Sequence, residues 1–399
     1  MHIPCQMKSL EVHMRKFAAL LLSLMLLCSP VLAEEEDLEL GDVLSGADPG
    51  VVADTFIAPP EESEDFELLE DEEDSIYEED GSILITITGT GDFTIGGDCR
   101  KSTNIFEDEL ERHDGDVNFT MKNVKEILEA DDLTIVNFEG TLTESTHIPA
   151  EKRENQFLFS APPEYVSVLS DNSVEAVALE NNHIMDHGEE AYQDTIDALT
   201  EAGIVYSNST DIGVYEVKGI EIAMLSYLCI DRYNSLWDKV PADIAAAKEE
   251  YPIVIVNFHW GNETWYYPTD NQVKMGRLAV DAGADLVLGH HSHRINPIEQ
   301  YKGVYICYSL GNFCFAGNNK PSDMSSYLFQ TRFRIRDEEI VNDGFRIIPI
   351  RISSRTDRND FIPTPLTKET AIDAVMNTLK DNGRRLDYAV ADYPTDWYE

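Results

Sequence analysis

Residues 253–293 read IVIVNFHWGNETWYYPTDNQVKMGRLAVDAGADLVLGHHSH. The run Ile253-Val254-Ile255-Val256 is apolar and wholly β-branched, the pattern of a strand buried on both faces. Gln272 to Ala282 carries apolar residues at helical spacing, and Asp285 to Leu288 is a second short apolar run. Strand, helix, strand in this order is the unit of a parallel sheet. Each strand closes on polar residues: His259-Trp260-Gly261 after the first, Gly289-His290-His291-Ser292-His293 after the second.

The same pattern repeats toward both ends. Ile83 to Ile87 is a β-rich run that reaches Gly89 and Gly91, with Asp92 next. Spacing predicts a helix over Val117 to Ala130, a strand over Leu133 to Phe138, and Glu139 just after it. Tyr165 to Leu169 is helical in pattern. Glu175 to Leu179 reads as a strand and leads into Asn181-Asn182-His183. Helices are predicted over Glu189 to Ala202, stopping at Gly203, and over Ala242 to Glu250. Further strands are predicted over Ile222 to Leu228 and Val304 to Leu310. Tyr327 to Ile335 and Phe345 to Ile352 read as antiparallel strands, with a helix near Lys368 to Leu379. Strands alternating with helices give an α/β fold. No internal repeat is visible.

The chain of 399 residues carries a formal net charge of −45. Such a surface repels nucleic acid and anionic membranes. Glu34 to Asp80 holds about twenty acidic residues and no Lys or Arg, a composition that resists burial and predicts a disordered tether. Before it, Arg15 and Lys16 precede the uncharged run Phe17 to Cys28, and Val31-Leu32-Ala33 offers a small-residue cleavage site. That is the pattern of a secretory signal, too short to span a bilayer comfortably. The expected organisation is a signal peptide over 1–33, an acidic linker over 34–81, the main domain over 82–355 and a helical extension over 356–399. The expected location is secreted or attached to the cell envelope. Of the cysteines beyond the signal, Cys229 and Cys307 sit in apolar runs and read as buried thiols; spacing names no disulfide.

Five predicted strands thus end on Asp, Glu, Asn or His, and ligand sites of open α/β sheets gather at the carboxyl ends of strands. Taken singly these are ordinary residues: Asp92, Glu139 and Asn182 suit turns, and His259 suits a core. The pair His291 and His293 says more. In a strand both rings face one way; in a loop they can reach two neighbouring ions. Imidazole and carboxylate together suit zinc, manganese or iron better than calcium.

Six blocks occur in order: Gly91-Asp92; Asn137-Phe138-Glu139; Asn181-Asn182-His183-Ile184-Met185-Asp186-His187-Gly188; His259-Trp260-Gly261-Asn262-Glu263; Gly289 to His293; and Tyr308-Ser309-Leu310-Gly311-Asn312-Phe313. Over roughly Leu84 to Ile352 the chain resembles the CapA type of capsule and poly-γ-glutamate synthesis proteins, which are similar to calcineurin-like metallophosphoesterases. The resemblance implies a sandwich of two mixed β-sheets flanked by helices. It also implies two divalent ions, with Asp92 and His293 on one, Asn182, His259 and His291 on the other, and Glu139 between them. His183 is then the general acid, with Asp186 positioned to orient it, and Glu263 and Asn312 face substrate. The chain departs from the wider superfamily in three places. Thr94 stands where a ligand histidine is usual, Ile184 where an acid follows the histidine, and Glu139 where the bridge is an aspartate.

Three functions follow. The first is a hydrolase or transferase acting on an envelope substrate, with an anionic polymer or phosphoester bound and membrane capsule-synthase subunits as partners. The second is a polymer-binding or export module on the same fold. The third is a secreted phosphoesterase unconnected with capsule.

Overall fold

A computed structural model describes residues 76–153, 156–337 and 339–397. The expected signal peptide and all but the end of the expected linker lie outside the described residues. The described residues belong to one compact unit.

The strands are β1 (Ile83–Thr94), β2 (Leu133–Phe138), β3 (Thr141–Leu142), β4 (Ser160–Ala161), β5 (Ala176–Ala178), β6 (Val205–Ser207), β7 (Gly213–Val217) and β8 (Ile220–Leu228). They continue with β9 (Ile253–His259), β10 (Leu286–His290), β11 (Ile298–Tyr301), β12 (Val304–Cys307), β13 (Asn312–Phe315), β14 (Ser325–Arg336), β15 (Glu339–Arg351) and β16 (Thr364–Pro365). One sheet has the order β16-β15-β14-β1-β2-β5-β6, with β13 also on β1; a second has the order β11-β12-β10-β9-β8-β7. Both are mixed. In the first, β1, β2, β5 and β6 are parallel and β14 to β16 antiparallel. In the second, β8, β9, β10 and β12 are parallel between antiparallel edges.

The two sheets share one core. Ile85, Ile87, Leu133 and Ile135 from the first pack in the same cluster as Ile253, Ile255, Leu286 and Leu288 from the second. The opposite face of each sheet is covered by helices. Phe106, Leu169 and Leu199 cover the first, and Ile244, Met275 and Ala279 the second. This is why β9 is buried at every position: it lies between two apolar layers, as its unbroken apolar run predicts.

Several boundaries differ from expectation. Val117 to Ala130 is not one helix. A 3-10 turn (Val117–Thr120) capped by the Asp116 side chain is followed by a single helical turn, Lys125–Leu128. Asp116 and its neighbours prefer a local capping bond to a continuous ladder. β12 stops at Cys307, and Leu310 instead bridges Ile295. Asp92 lies inside β1, not after it, because a register shift between Gly89 and Asp92 lets the strand run on to Thr94.

The fold also reaches beyond both expected domain ends. Tyr77 bridges Ile83, and the Asp80 carboxylate meets Ser82 and Arg336. At the other end, helix Glu369–Gly383 sends Val375 and Leu379 into the inter-sheet core. The last residues strap both sheets: Gln300 N–H donates to the Tyr388 carbonyl at 2.9 Å, and Ile347 N–H to that of Pro394 at 2.8 Å. Cys229, Cys307 and Cys314 are buried free thiols, and Cys99 is free and exposed. Among the described residues no helix is long and apolar enough to cross a membrane.

Candidate metal centre

The inner faces of the sheets change character along the strands. The inward positions of β9 run Ile253, Ile255, Asn257, His259, and those of β2 run Leu133, Ile135, Asn137. Period-two alternation therefore places polar groups together at the carboxyl ends, inside an otherwise apolar layer.

β1 supplies Asp92. The residue before it has to be glycine: a Cβ at Gly91 would lie 2.2 Å from the Gly311 carbonyl, to which the Asp92 N–H donates at 2.9 Å. β13 can thus lie on β1 with Asn312 opposite Asp92, while Asn137 stands opposite on the β2 side. Asn137 Nδ2 donates to Asp92 Oδ1 at 2.9 Å. Glu139 follows β2 and is fully buried. The next turn is set by Asn181, whose Nδ2 donates to the Phe138 carbonyl at 2.7 Å and whose Oδ1 accepts the His183 N–H at 3.0 Å.

The second sheet supplies the histidines. His259 ends β9, with Nε2 3.9 Å from Glu139 Oε1 and Nδ1 3.3 Å from Asn137 Nδ2. His291 and His293 lie in the loop after β10, both with left-handed backbone, φ 88° and 52°. That conformation is unfavourable for residues with a Cβ and collects at functional sites. It turns the rings inward: His291 is 4.7 Å from the His259 ring and 6.2 Å from that of His293. His293 Nδ1 is 3.0 Å from Asp92 Oδ2 and 2.8 Å from Asn312 Oδ1. Ligand atoms of Asp92, Glu139 and His293 all lie within 4.8 Å of one another.

Burial and charge then act on one another. Burial, reinforced by Asp92, pushes Glu139 up to about 7. Burial also presses the imidazoles toward neutrality. His290 and His291 fall to about 4, and His259, further opposed by its histidine neighbours, lies well below its ordinary value. Burial opposes the charged His293 too, but Glu139 and Asp92 outweigh it and raise His293 to about 9. Asp92 is held low: burial works against the carboxylate, and the His293 hydrogen bond and charge overcome it.

What remains is a set of buried atoms without hydrogen-bond partners: both Glu139 oxygens, Asn182 Oδ1, His259 Nε2 and His291 Nδ1. An unsatisfied buried polar group costs about 1–3 kcal/mol, and most folded chains tolerate few. Those of Glu139, His259 and His291 gather with Asp92 and His293, a donor set of the kind that holds divalent ions. The residues therefore fit a metal centre.

Beside it stands His183. Its Nδ1 is 2.7 Å from Asp186 Oδ2, and its Nε2 points back toward the centre, 3.7 Å from Glu139 Oε1. Asp186 is buried and held by Lys152 Nζ at 2.5 Å and by the Phe159 N–H at 2.7 Å. Glu263 is exposed in the loop after β9. Asn312 is buried with its Oδ1 on His293, so it holds a candidate ligand.

Two residues escaped sequence reasoning. His290 is buried with both ring nitrogens unpartnered, Nδ1 3.7 Å from Asp92 Oδ1. The alternation Leu286, Leu288, His290 carried that signal. Lys152 lies in a loop 34 positions from Asp186, and nothing in the sequence linked them.

Residues 86–317 match the family described as bacterial capsule synthesis protein PGA_cap. The chain belongs to that family. It is 31% identical to the PGA biosynthesis protein CapA of Bacillus subtilis (strain 168), over 62% of this chain and 67% of the relative. It is 28% identical to the capsule biosynthesis protein CapA of Bacillus anthracis, over 74% of this chain and 76% of the relative. A probable polyglutamine synthesis accessory protein of Mycobacterium tuberculosis is 25% identical, over 68% of this chain and 77% of its own length. Among solved structures, the calcineurin-like phosphoesterase YfkN from Bacillus subtilis superposes with TM-score 0.42 at 15% identity, covering 75% of this chain and 99% of that one. Thr94 and Ile184, two of the three departures from the superfamily pattern, are both buried.

Proposed function

We propose that this protein is an exported factor of capsule or poly-γ-glutamate synthesis, with a dinuclear divalent-metal centre that cleaves or transfers an ester or amide bond of an envelope substrate. The observation that carries the reading is the gathering of unpartnered buried donor atoms of Glu139, His259 and His291 with Asp92 and His293 at the carboxyl ends of strands from both sheets. The relatives' names support the biological setting, and the basic n-region, apolar run and small-residue site at 15–33 support an exported location.

Asp92 and His293 would hold one ion and Asn182, His259 and His291 the other, with Glu139 available to either. Bound there, two divalent ions supply Lewis acidity toward a phosphoryl or carbonyl oxygen. The chain's own part centres on His183. Asp186 accepts from Nδ1–H and fixes the ring, so Nε2 is the atom that faces the reacting group. From there it donates a proton to the leaving atom or to developing negative charge. Lys152 neutralises the buried Asp186 and keeps it an acceptor. Phe159, 4.6 Å from the His183 ring, and Phe315, 4.8 Å from that of His293, exclude water on one side.

Thr94 favours a second reading, a polymer-binding module. Its hydroxyl donates to the Glu139 carbonyl at 2.9 Å, so it is committed to backbone and adds no ligand. Metal analysis after chelation and gel filtration, with a broad hydrolase screen, tests both. The first reading expects up to two ions per chain, one fewer in His291→Ala, and turnover of a phosphoester or γ-glutamyl substrate. Polymer retention without turnover means a module. Wild-type metal content in His291→Ala removes the proposed centre.

A further inference from the structure

A second depression lies beside the centre. It has a volume of about 320 Å³ and sits over the carboxyl ends of β8 and β9, at the start of helix Asp270–Asp281. Asp231, Tyr233, Asn234, Asn262, Thr269 and Asn271 line it. One wall is the backbone that carries His259: Cys229 N–H donates to the His259 carbonyl at 2.9 Å, and Gly261 is two residues on. The loop that follows ties it to the histidine loop, where Thr264 N–H donates to the Ser292 carbonyl at 2.7 Å. Glu263, next to Asn262, is near enough to act on the charges of Glu139 and His293.

The lining has a definite chemistry. The three exposed asparagines each offer a donor and an acceptor, and Asp231 accepts; the Thr269 hydroxyl is committed to Gln272. No Lys or Arg lines the depression, so a carboxylate or phosphate finds no counter-charge and meets Asp231. A sugar hydroxyl, which both donates and accepts, matches these groups. The Tyr233 hydroxyl is buried and makes no hydrogen bond of normal geometry, Thr269 being the side-chain group that acts on it. Its ring is held by stacking on Trp237 at 5.6 Å, and the residue lines the depression.

We infer that this depression is a neutral sugar subsite, and that the group acted on at the centre is attached to a glycan. The inference rests on the proposed function only in placing the reacting bond next door; sugar binding itself needs no metal. The class of substrate is then a carbohydrate bearing an ester, amide or phosphate substituent, with the sugar over Asn234, Asn262 and Asn271 and the substituent toward His183.

Saturation-transfer NMR on the full chain after chelation tests this. The probes are the β-1,4-linked disaccharide of N-acetylglucosamine, glucose, and linear tri-γ-glutamate. We expect transfer to at least one sugar, with or without metal, and none from this site to tri-γ-glutamate. Asn234→Ala with Asn271→Ala should weaken sugar binding at least about ten-fold, the scale of two lost polar contacts, at unchanged metal content. Tyr233→Phe, which keeps the ring, should weaken it less and guards against misfolding of the double variant. No transfer to either sugar, undiminished binding in the double variant of wild-type melting temperature, or competition by tri-γ-glutamate overturns the subsite. Loss of metal binding by the wild type, with sugar binding intact, would sink the hydrolase reading alone.

Discussion

His183 is where geometry constrains chemistry most tightly. Its Nδ1 is committed to Asp186, and only Nε2 faces the centre. Removing a positioned acid lowers turnover by about 10²–10⁴-fold. His183→Ala should therefore lose activity on that scale while metal content and melting temperature stay near wild type; retained turnover would pass the acid's role to another group. His290 makes a different prediction. It contacts no proposed ion, yet stands 3.7 Å from Asp92 Oδ1 with two unpartnered ring nitrogens, the place of a group that orients a ligand through water. Groups that orient ligands contribute about 10–100-fold in metal affinity. Competition with a fluorescent chelator should show that loss in His290→Ala, and wild-type affinity would return His290 to plain packing.

At the scale of elements, the ends of the chain separate into parts that pack and parts whose composition resists packing. Tyr393 is buried against the inter-sheet core, and its hydroxyl accepts the Ile298 N–H at 3.2 Å. Tyr393→Ala should cost about 3 kcal/mol, as other large-to-small aromatic replacements do. Urea unfolding measures it, and a loss below about 1 kcal/mol would mean the C-terminal strap contributes little. The acidic N-terminal segment should behave oppositely. Deleting residues 1–75 should leave the melting temperature nearly unchanged, because that charge density opposes burial. Extending the deletion through Gly81 removes Tyr77 and Asp80 and should produce a measurable drop.

For the whole molecule, the buried charges set a pH dependence that metal alters. In the metal-free protein Glu139 is raised to about 7 and His293 to about 9. Both bind protons more tightly folded than unfolded. The stability they contribute is full below their unfolded values, near 4.5 and 6.5, and is lost as pH rises through 7 and 9. His290 and His291, lowered to about 4, and His259, held by burial well below its ordinary value, act the other way. Their contribution is full above about 6.5 and is lost as pH falls toward 4. Metal-free protein should be most stable near neutrality and lose stability on both sides. Bound ions favour the deprotonated ligands, so metal should raise the alkaline limb most. Scanning calorimetry from pH 5 to 9, with and without divalent metal, checks this; identical profiles would place the ions elsewhere.

Sequence alone determined the α/β architecture and the residue types that gather at the strand ends. Unbroken β-branched runs such as Ile253 to Val256 can only be strands covered on both faces, and helices of amphipathic spacing between them force an α/β layering. Asp, Glu, Asn and His at successive strand ends announced a site because parallel strands deliver their carboxyl ends to one edge. Tertiary structure decided what depends on proximity between distant residues. The chain does not say that Lys152 neutralises Asp186, that Asn312 holds His293, or that β13 lies against Gly91. Each of these needs a pairing whose partners are set by sheet order, not by local pattern. Nor does it say that the last residues strap both sheets, since an exposed tail and a docked one have similar composition. Local periodicity fixes which face a side chain takes; only the packed sheets fix which other side chain it meets there.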